Sequence, residues 1–428
     1  MRAWWAFLVP VRQVPLSHLI RNQRRLFGIN TYTPDPSAVL PYLSSLETNQ
    51  EPLPPVVHHV EADDIHSSTG MTARALVMYE TRGERFSEAY LDELADFGAV
   101  YRAPSRAEKP QRLESSADLD KTVKKGTYLR VHQHPVRRRG ALGVAWAERL
   151  LVNSVELADW VAVDKPPRVP MQAGVDNRIE NLQFQLGTFV GEKLTVTSRL
   201  DVCTSGASVL ARSRRVTETI NRSIRERAVR KEYLALVRTR GAKAPSVGRV
   251  DHLFRTGDKK HKNSSPTLLR SVHRDGRDRG KRRKDEEDPE EERGGTVWKP
   301  ASLEILSCTR VEPSVALAKR LSRHVSEPIE SKGDLYQLRI RLLTGRTHQI
   351  RLQLAAINAP VVGDSRYAPV AGLLEDLGAP HGDGSSLFGA HPECIALHCA
   401  SLDFGNSCKS IGLTVVEALA PWWYVQEE

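Results

Sequence analysis

Asp201 is the residue of this chain best placed to do chemistry. It lies between Arg199 and the turn Thr204-Ser205-Gly206, in the run Ser198-Arg199-Leu200-Asp201-Val202-Cys203-Thr204-Ser205-Gly206, just ahead of an apolar stretch. If the segment is extended, Arg199 and Asp201 project from one face, because side chains alternate along a strand. A carboxylate so placed can capture or stabilise positive charge, or remove a proton. Ser205 offers a different chemistry, that of a serine hydrolase. The chain lacks a Gly-x-Ser-x-Gly turn around it and a recognisable order of partner histidine. Cys394, Cys399 and Cys408 lie near His391 and His398 without the paired Cys-x-x-Cys spacing of a metal site. Small buried cysteines fit these positions better, and no metal is expected.

Two further segments follow in order, Lys231-Glu232-Tyr233-Leu234-Ala235-Leu236-Val237 and Thr344-Gly345-Arg346-Thr347-His348-Gln349-Ile350-Arg351. Together the three segments resemble the RluA-type pseudouridine synthases, whose catalytic motif reads His-Arg-Leu-Asp-x-x-Thr-Ser-Gly. Trp160 to Pro167 is similar to the family's strand ending in Lys-Pro, and Gly363-Asp364 with Tyr367 to its Gly-Asp-x-x-Tyr turn. Leu397-His398 and Leu402-Asp403-Phe404 resemble its closing strand. The resemblance runs from about Ser154 to Pro421. It departs at Ser198, where the family has histidine; that position is not the carboxylate, so activity is expected to survive.

The resemblance implies isomerisation of specific uridines to pseudouridine in structured RNA. That reaction breaks a carbon–nitrogen glycosidic bond, turns the uracil and rejoins it through carbon, with no net redox change and no cofactor. The base must leave its stack to be reached. On this resemblance Asp201 is the catalytic carboxylate. Its role is either to stabilise or capture charge at the sugar carbon, or to take a proton from the sugar. Arg199 would fill the space left by the flipped nucleotide, Tyr233 would stack on the target uracil, and Arg346 would pair with Asp201. Thr204, Ser205, Gly206, His348, Gln349 and Arg351 would support the site, and the Gly363-Asp364 turn would be structural. The alternative is a non-catalytic RNA-binding protein on the same fold, for which Ser198 speaks. Ribosomal, transfer and messenger RNA all remain open as the partner, and a monomer is expected.

Bulk properties agree with a polyanionic partner. The 428 residues carry a formal net charge of +10 and a pI near 9.4, which concentrates phosphates near the surface. Five cysteines are too few and odd in number for a disulfide framework. No apolar run of membrane-spanning length occurs. Before Asp35 there is no acidic residue, while Arg2, Arg12, Arg21, Arg24 and Arg25 are present, the composition of an organelle transit segment. Mitochondrion or chloroplast is expected, with a lean to the mitochondrion; cytoplasm or nucleus is the alternative.

The elements that would position these residues make an α+β protein, with a mostly antiparallel mixed sheet, flanking helices and a central cleft. Residues 1–34 read as the targeting segment, and 35–84 as linker for their proline, serine and acidic content. Residues 85–140 read as a small RNA-binding-like α+β domain. Leu91, Leu94 and Phe97 have helical spacing, and Gly126 to His132 alternates like a strand. Residues 150–428 form the catalytic domain, interrupted at about 255–298. There 17 of the 20 residues from Arg274 to Arg293 are charged, too polar to order themselves. Val216, Ile220 and Ile224 mark a helix face, Tyr336 to Leu342 alternates like a half-buried strand, and Ile350, Leu354 and Ile357 face inward from a helix after His348.

Overall fold

The computed structural model describes residues 56–81, 87–151, 158–239, 243–255, 269–271, 298–325, 333–372 and 392–424. The expected targeting segment at 1–34 and nearly all of the charged insertion lie outside them.

The chain begins with strand β1 (Val57–Glu61), followed by helices α1 (Asp64–Ser68), α2 (Ala73–Glu80) and α3 (Glu88–Phe97). Strands β2 (Val100–Ala103), β3 (Gln111–Arg112) and β4 (Tyr128–His132) complete a four-stranded antiparallel sheet in the order β1-β4-β2-β3. Each helix starts where a side chain accepts an otherwise orphaned N–H: Asp63, Thr72 and Ser87 all serve as N-caps. Gly98 ends α3 in the left-handed conformation that glycine adopts without strain. Residues 57–81 therefore belong to the small domain, not to the linker expected over 35–84. The Pro- and acid-rich composition that suggested a linker obscured a five-residue strand too short to show alternation.

The larger unit follows, with α4 (Trp146–Arg149), β5 (Trp160–Lys165), α5 (Leu182–Val190), β6 (Thr195–Val196), β7 (Ser205–Ala211), α6 (Arg214–Arg225) and β8 (Arg230–Arg238). Next come β9 (Gly248–Arg255), β10 (Leu269–Ser271), β11 (Trp298–Val311), α7 (Val315–His324) and β12 (Leu335–Leu342). Helix α8 (Gln349–Ala356), β13 (Leu397–Asp403) and β14 (Val415–Glu417) end the series. The sheet runs β10-β9-β11-β12-β8-β13-β7-β5, with β14 on β13 and β6 on β7. All its pairings are antiparallel except β13 with β7, as expected of a mostly antiparallel mixed sheet.

Its main core joins Ala207 and Val209 of β7, Val216 and Ile220 of α6, Tyr233 and Ala235 of β8, Leu338 and Ile340 of β12, and Ile350 and Leu354 of α8. On β12, Arg339 points outward and pairs with Glu232 of β8 at 2.7 Å, so the expected alternation holds. Helix α8 turns Ile350 and Leu354 into this core, with Ile357 packed against it, as expected. It is buried on every side, including Gln349, Arg351 and Gln353, so no polar face meets water. Those polar side chains are satisfied internally: Gln349 Nε2 donates to Ser302 O at 3.0 Å, and Gln353 Nε2 to Val250 O at 3.0 Å.

The small domain is clamped to the larger unit. Ile179 belongs to the small domain's core, and Phe184 packs against it. Arg178 donates to Asp96 O at 2.8 Å and Glu114 O at 2.7 Å. Glu180, fully buried, pairs with Arg137 at 2.6 Å and accepts from Asn177 at 2.9 Å.

Candidate active site

Asp201 lies in the loop leading into β7, where Thr204 N donates to Asp201 O at 3.1 Å to close a turn. Three features fix this loop. Gly206 has φ +114 and passes so close to β13 that a Cβ would lie 2.3 Å from Cys399 O. Only glycine lets the parallel pair β7–β13 come together there. Ser205 Oγ lies 2.9 Å from His398 Nδ1, while His398 Nε2 lies 3.0 Å from Leu419 O. A carbonyl can only accept, so Nε2 carries the hydrogen and Ser205 donates to Nδ1. Burial keeps His398 neutral, pushing its pKa down to about 4. Ser205 is thus a pin between strands, buried together with His398.

The third feature is Lys165, the end of the Lys-Pro strand. It is fully buried, and its Nζ donates to Pro166 O and Val169 O at 2.9 Å and to Val202 O at 3.3 Å. It ties the residue after Asp201 to the neighbouring strand. Burial pushes its pKa down to about 7, against the pull of Cys203 and Asp201 nearby. Sequence reasoning gave Lys165 no role; a charged residue ending an apolar strand was the available signal.

Arg351 Nη1 lies 3.6 Å from Asp201 Oδ2. This corrects the expectation that Arg346 pairs with Asp201: Arg346 Nε instead donates to Pro300 O at 3.3 Å. The reason is the backbone. His348 adopts a left-handed conformation (φ 55, ψ 21) that starts α8 and swings its first turn, with Arg351, towards the carboxylate. Gln349 Oε1 holds the preceding turn by accepting from Arg346 N at 3.0 Å and Thr344 Oγ1 at 2.9 Å. Arg351 also grips Asp364 in a two-pronged pair, Nε to Oδ2 at 2.7 Å and Nη2 to Oδ1 at 2.8 Å. Burial opposes charge on Arg351, but the Asp364 carboxylate more than offsets it and its pKa lies above the ordinary value. The Gly363-Asp364 turn, expected to be structural, therefore also anchors the cation beside Asp201.

His348 Nε2 is 3.9 Å from Asp201 Oδ2, and its Nδ1 is 2.6 Å from the Tyr367 hydroxyl. Tyr233 sits on β8, opposite Ile340 and Cys399 and buried in the core. Burial raises its pKa well above the ordinary value, with Cys399 and Asp201 contributing. Arg199 is exposed, two residues before Asp201, and makes no ion pair with a described residue. Thr204 is buried behind the loop, its hydroxyl unpaired among the described residues. Asp201, Arg351 and His348 thus lie together, Tyr233 is buried on β8, and Arg346 is engaged by Pro300 O. Among the described residues no group of His, Cys, Asp and Glu is arranged to hold a metal ion, and no helix is long and apolar enough to cross a membrane.

Residues 159–356 match the family model described as RNA pseudouridylate synthase. The chain is 26% identical over 424 residues to RNA pseudouridine synthase 6, chloroplastic, of Oryza sativa subsp. japonica, covering 86% of this chain and 80% of the relative. It is 33% identical over 265 residues to RNA pseudouridine synthase 6, chloroplastic, of Arabidopsis thaliana, covering 60% of this chain and 47% of the relative. To pseudouridylate synthase RPUSD2 of Homo sapiens it is 30% identical over 279 residues, covering 64% of this chain and 40% of the relative. It therefore spans less than half the length of the second and third of these.

Proposed function

We propose that the chain, whose residues 159–356 match the RNA pseudouridylate synthase family model, is an isomerase that converts specific uridines to pseudouridine in structured RNA with Asp201 as the catalytic carboxylate. The single observation that carries the assignment is the pair of Asp201, on a loop pinned from three sides, and the buried Arg351 3.6 Å away. A fixed cation and a fixed carboxylate at the mouth of a sheet cleft are suited to a sugar carbon that gains positive charge as its bond to N1 breaks. Asp201 either forms a bond to that carbon or removes a sugar proton. The uracil turns and C5 joins the sugar carbon; on the first route the Asp201–carbon bond breaks as C5 attacks, on the second Asp201 returns the proton to the sugar. In both cases the C5 hydrogen leaves to solvent and N1 gains a proton. No step calls for electron transfer. Arg199, exposed beside the carboxylate, takes the place of the flipped nucleotide, and Tyr233 supplies the ring on which the uracil rests.

The small domain, clamped to this unit with Arg102, Lys124 and Lys125 on its surface, extends the basic face along the RNA. The N-terminal arginines and two relatives named chloroplastic support an organelle destination, with the plastid now favoured over the mitochondrion. The second reading, RNA binding without catalysis, rests on Ser198 in place of the family's histidine. One experiment separates the two: Asp201→Asn, assayed for tritium release from RNA whose uridines are tritiated at C5, with binding measured in parallel. Loss of release with binding retained supports the enzyme; equal release from the variant sinks the role of Asp201.

A further inference from the structure

Tyr367 is fully buried, with its hydroxyl 2.6 Å from His348 Nδ1. The Arg351 and Arg366 guanidinium groups lie over its ring, 4.9 and 5.7 Å from the centroid. Burial pushes the phenol pKa up to about 12, so it keeps its hydrogen, and His348 Nδ1 lies within reach of it. With that hydrogen in the Tyr367–His348 bond, Nδ1 accepts and Nε2 carries the imidazole hydrogen. Nε2 is the atom that faces Asp201 Oδ2, at 3.9 Å. We propose that Tyr367 donates to His348 and forms with it a positioning relay that aims the imidazole Nε2–H at Asp201.

The relay rests on the reading of Asp201 as the catalytic carboxylate and adds to it a second donor, of a different kind from Arg351. Arg351 is held rigidly by Asp364. The imidazole N–H is neutral and stands just beyond hydrogen-bonding distance, a geometry that catalytic contacts often show before substrate binds. Two features of the backbone support a role beyond packing. His348 occupies a left-handed conformation that most residues avoid, and histidine is among the few that enter it readily. Gly363, at φ +83, lets the turn bearing Tyr367 pass within 2.4 Å of Val325 Cγ1, measured from where a Cβ would stand. With Arg351 and the imidazole both directed at Asp201 Oδ2, Asp201 Oδ1 is left for the sugar.

The test uses Tyr367→Phe, which keeps the ring between its arginines and removes only the hydroxyl. His348→Gln keeps an N–H donor, His348→Leu removes it, and Tyr367→Phe/His348→Leu combines the losses. The full-length chain is assayed under single turnover with C5-tritiated RNA from cells lacking the protein, and RNA binding is measured separately. Tyr367→Phe is expected to slow release about tenfold, the worth of one oriented hydrogen bond, with affinity changed by less than about twofold. His348→Gln should retain more activity than His348→Leu, and the double variant should be no slower than His348→Leu, because residues in series do not add. Tyr367→Phe at the wild-type rate, or a double variant whose losses multiply, overturns the relay. Asp201→Asn distinguishes the failures. Full activity there sinks the carboxylate assignment itself. An inactive Asp201→Asn beside fully active Tyr367→Phe and His348→Leu sinks the relay alone.

Discussion

Replacing Arg351 by Met should damage stability and turnover together, and a second substitution should pull the two apart. Arg351 and Asp364 have side chains only 2% and 1% exposed, joined by bonds of 2.7 and 2.8 Å. Removing the guanidinium leaves a buried, unpaired carboxylate, which costs about 3–5 kcal/mol. In a unit of this size that lowers the melting temperature by roughly 10 °C. Arg351→Met/Asp364→Leu removes the stranded charge as well and should recover most of the loss, since buried ion pairs are often replaceable by apolar side chains. Turnover should not recover. At 3.6 Å and an effective dielectric of 20, the attraction between Arg351 and Asp201 is about 4–5 kcal/mol. Asp201 is 28% exposed, so solvent screens about half of it. The remaining ~2 kcal/mol corresponds to roughly a thirtyfold slower reaction. Thermal melts and single-turnover tritium release on the wild type and both variants make the measurement. A double variant that regains both stability and rate would refute the claim that Arg351 serves Asp201, and leave it a purely structural cation.

Tyr233→Phe should keep most activity and Tyr233→Ala should lose it; an active Tyr233→Ala in the same assay removes the stacking role. Gly206→Ala should destabilise the chain by about 2–4 kcal/mol, as its methyl would meet the Cys399 backbone at 2.3 Å, and urea titration reads this directly. His398 is neutral when folded, with a pKa near 4 against an ordinary 6.5. Its contribution is therefore full above pH 6.5 and is lost as pH falls towards 4. Asp164, raised by burial to about 6, works in the opposite sense over about pH 4–6, so the quantity to measure is the difference between wild type and His398→Gln in unfolding free energy at pH 7 and pH 4.5, which should shrink in acid. Residues 1–42 fused to a fluorescent reporter should carry it to plastids or mitochondria, and Gln in place of Arg12, Arg21, Arg24 and Arg25 should weaken delivery; an even cytosolic and nuclear signal refutes the targeting.

Much of the larger unit was legible because its signals are local. Strand β7 follows a turn rich in small residues, α6 repeats Val216 and Ile220 at helical spacing, and β12 alternates. The carboxylate was legible from its neighbours. The partner of that carboxylate was not. Arg346 and Arg351 lie five residues apart in one motif, and only the left-handed turn at His348 decides which of them meets Asp201. The inward apolar positions of helix α8 were legible from their spacing, but the partners of its buried polar side chains, Ser302, Val250 and Asp364, were not, because the fold brings them from outside the helix. His398 depends on Ser205 and the Leu419 carbonyl, Asp364 on Arg351 of helix α8, and Lys165 on carbonyls of its own segment and of Val202. The small domain's first strand was missed because five residues are too few to show a period.

Because Ile179 and Phe184 add to the core of the small domain, that core draws on residues well past its own last strand. A polypeptide that stopped short of residue 178 would lack this apolar contact and the bonds from Arg178 to Asp96 and Glu114. The two units are thereby coupled in folding, and a chain cut between them should expose apolar surface that the intact chain buries.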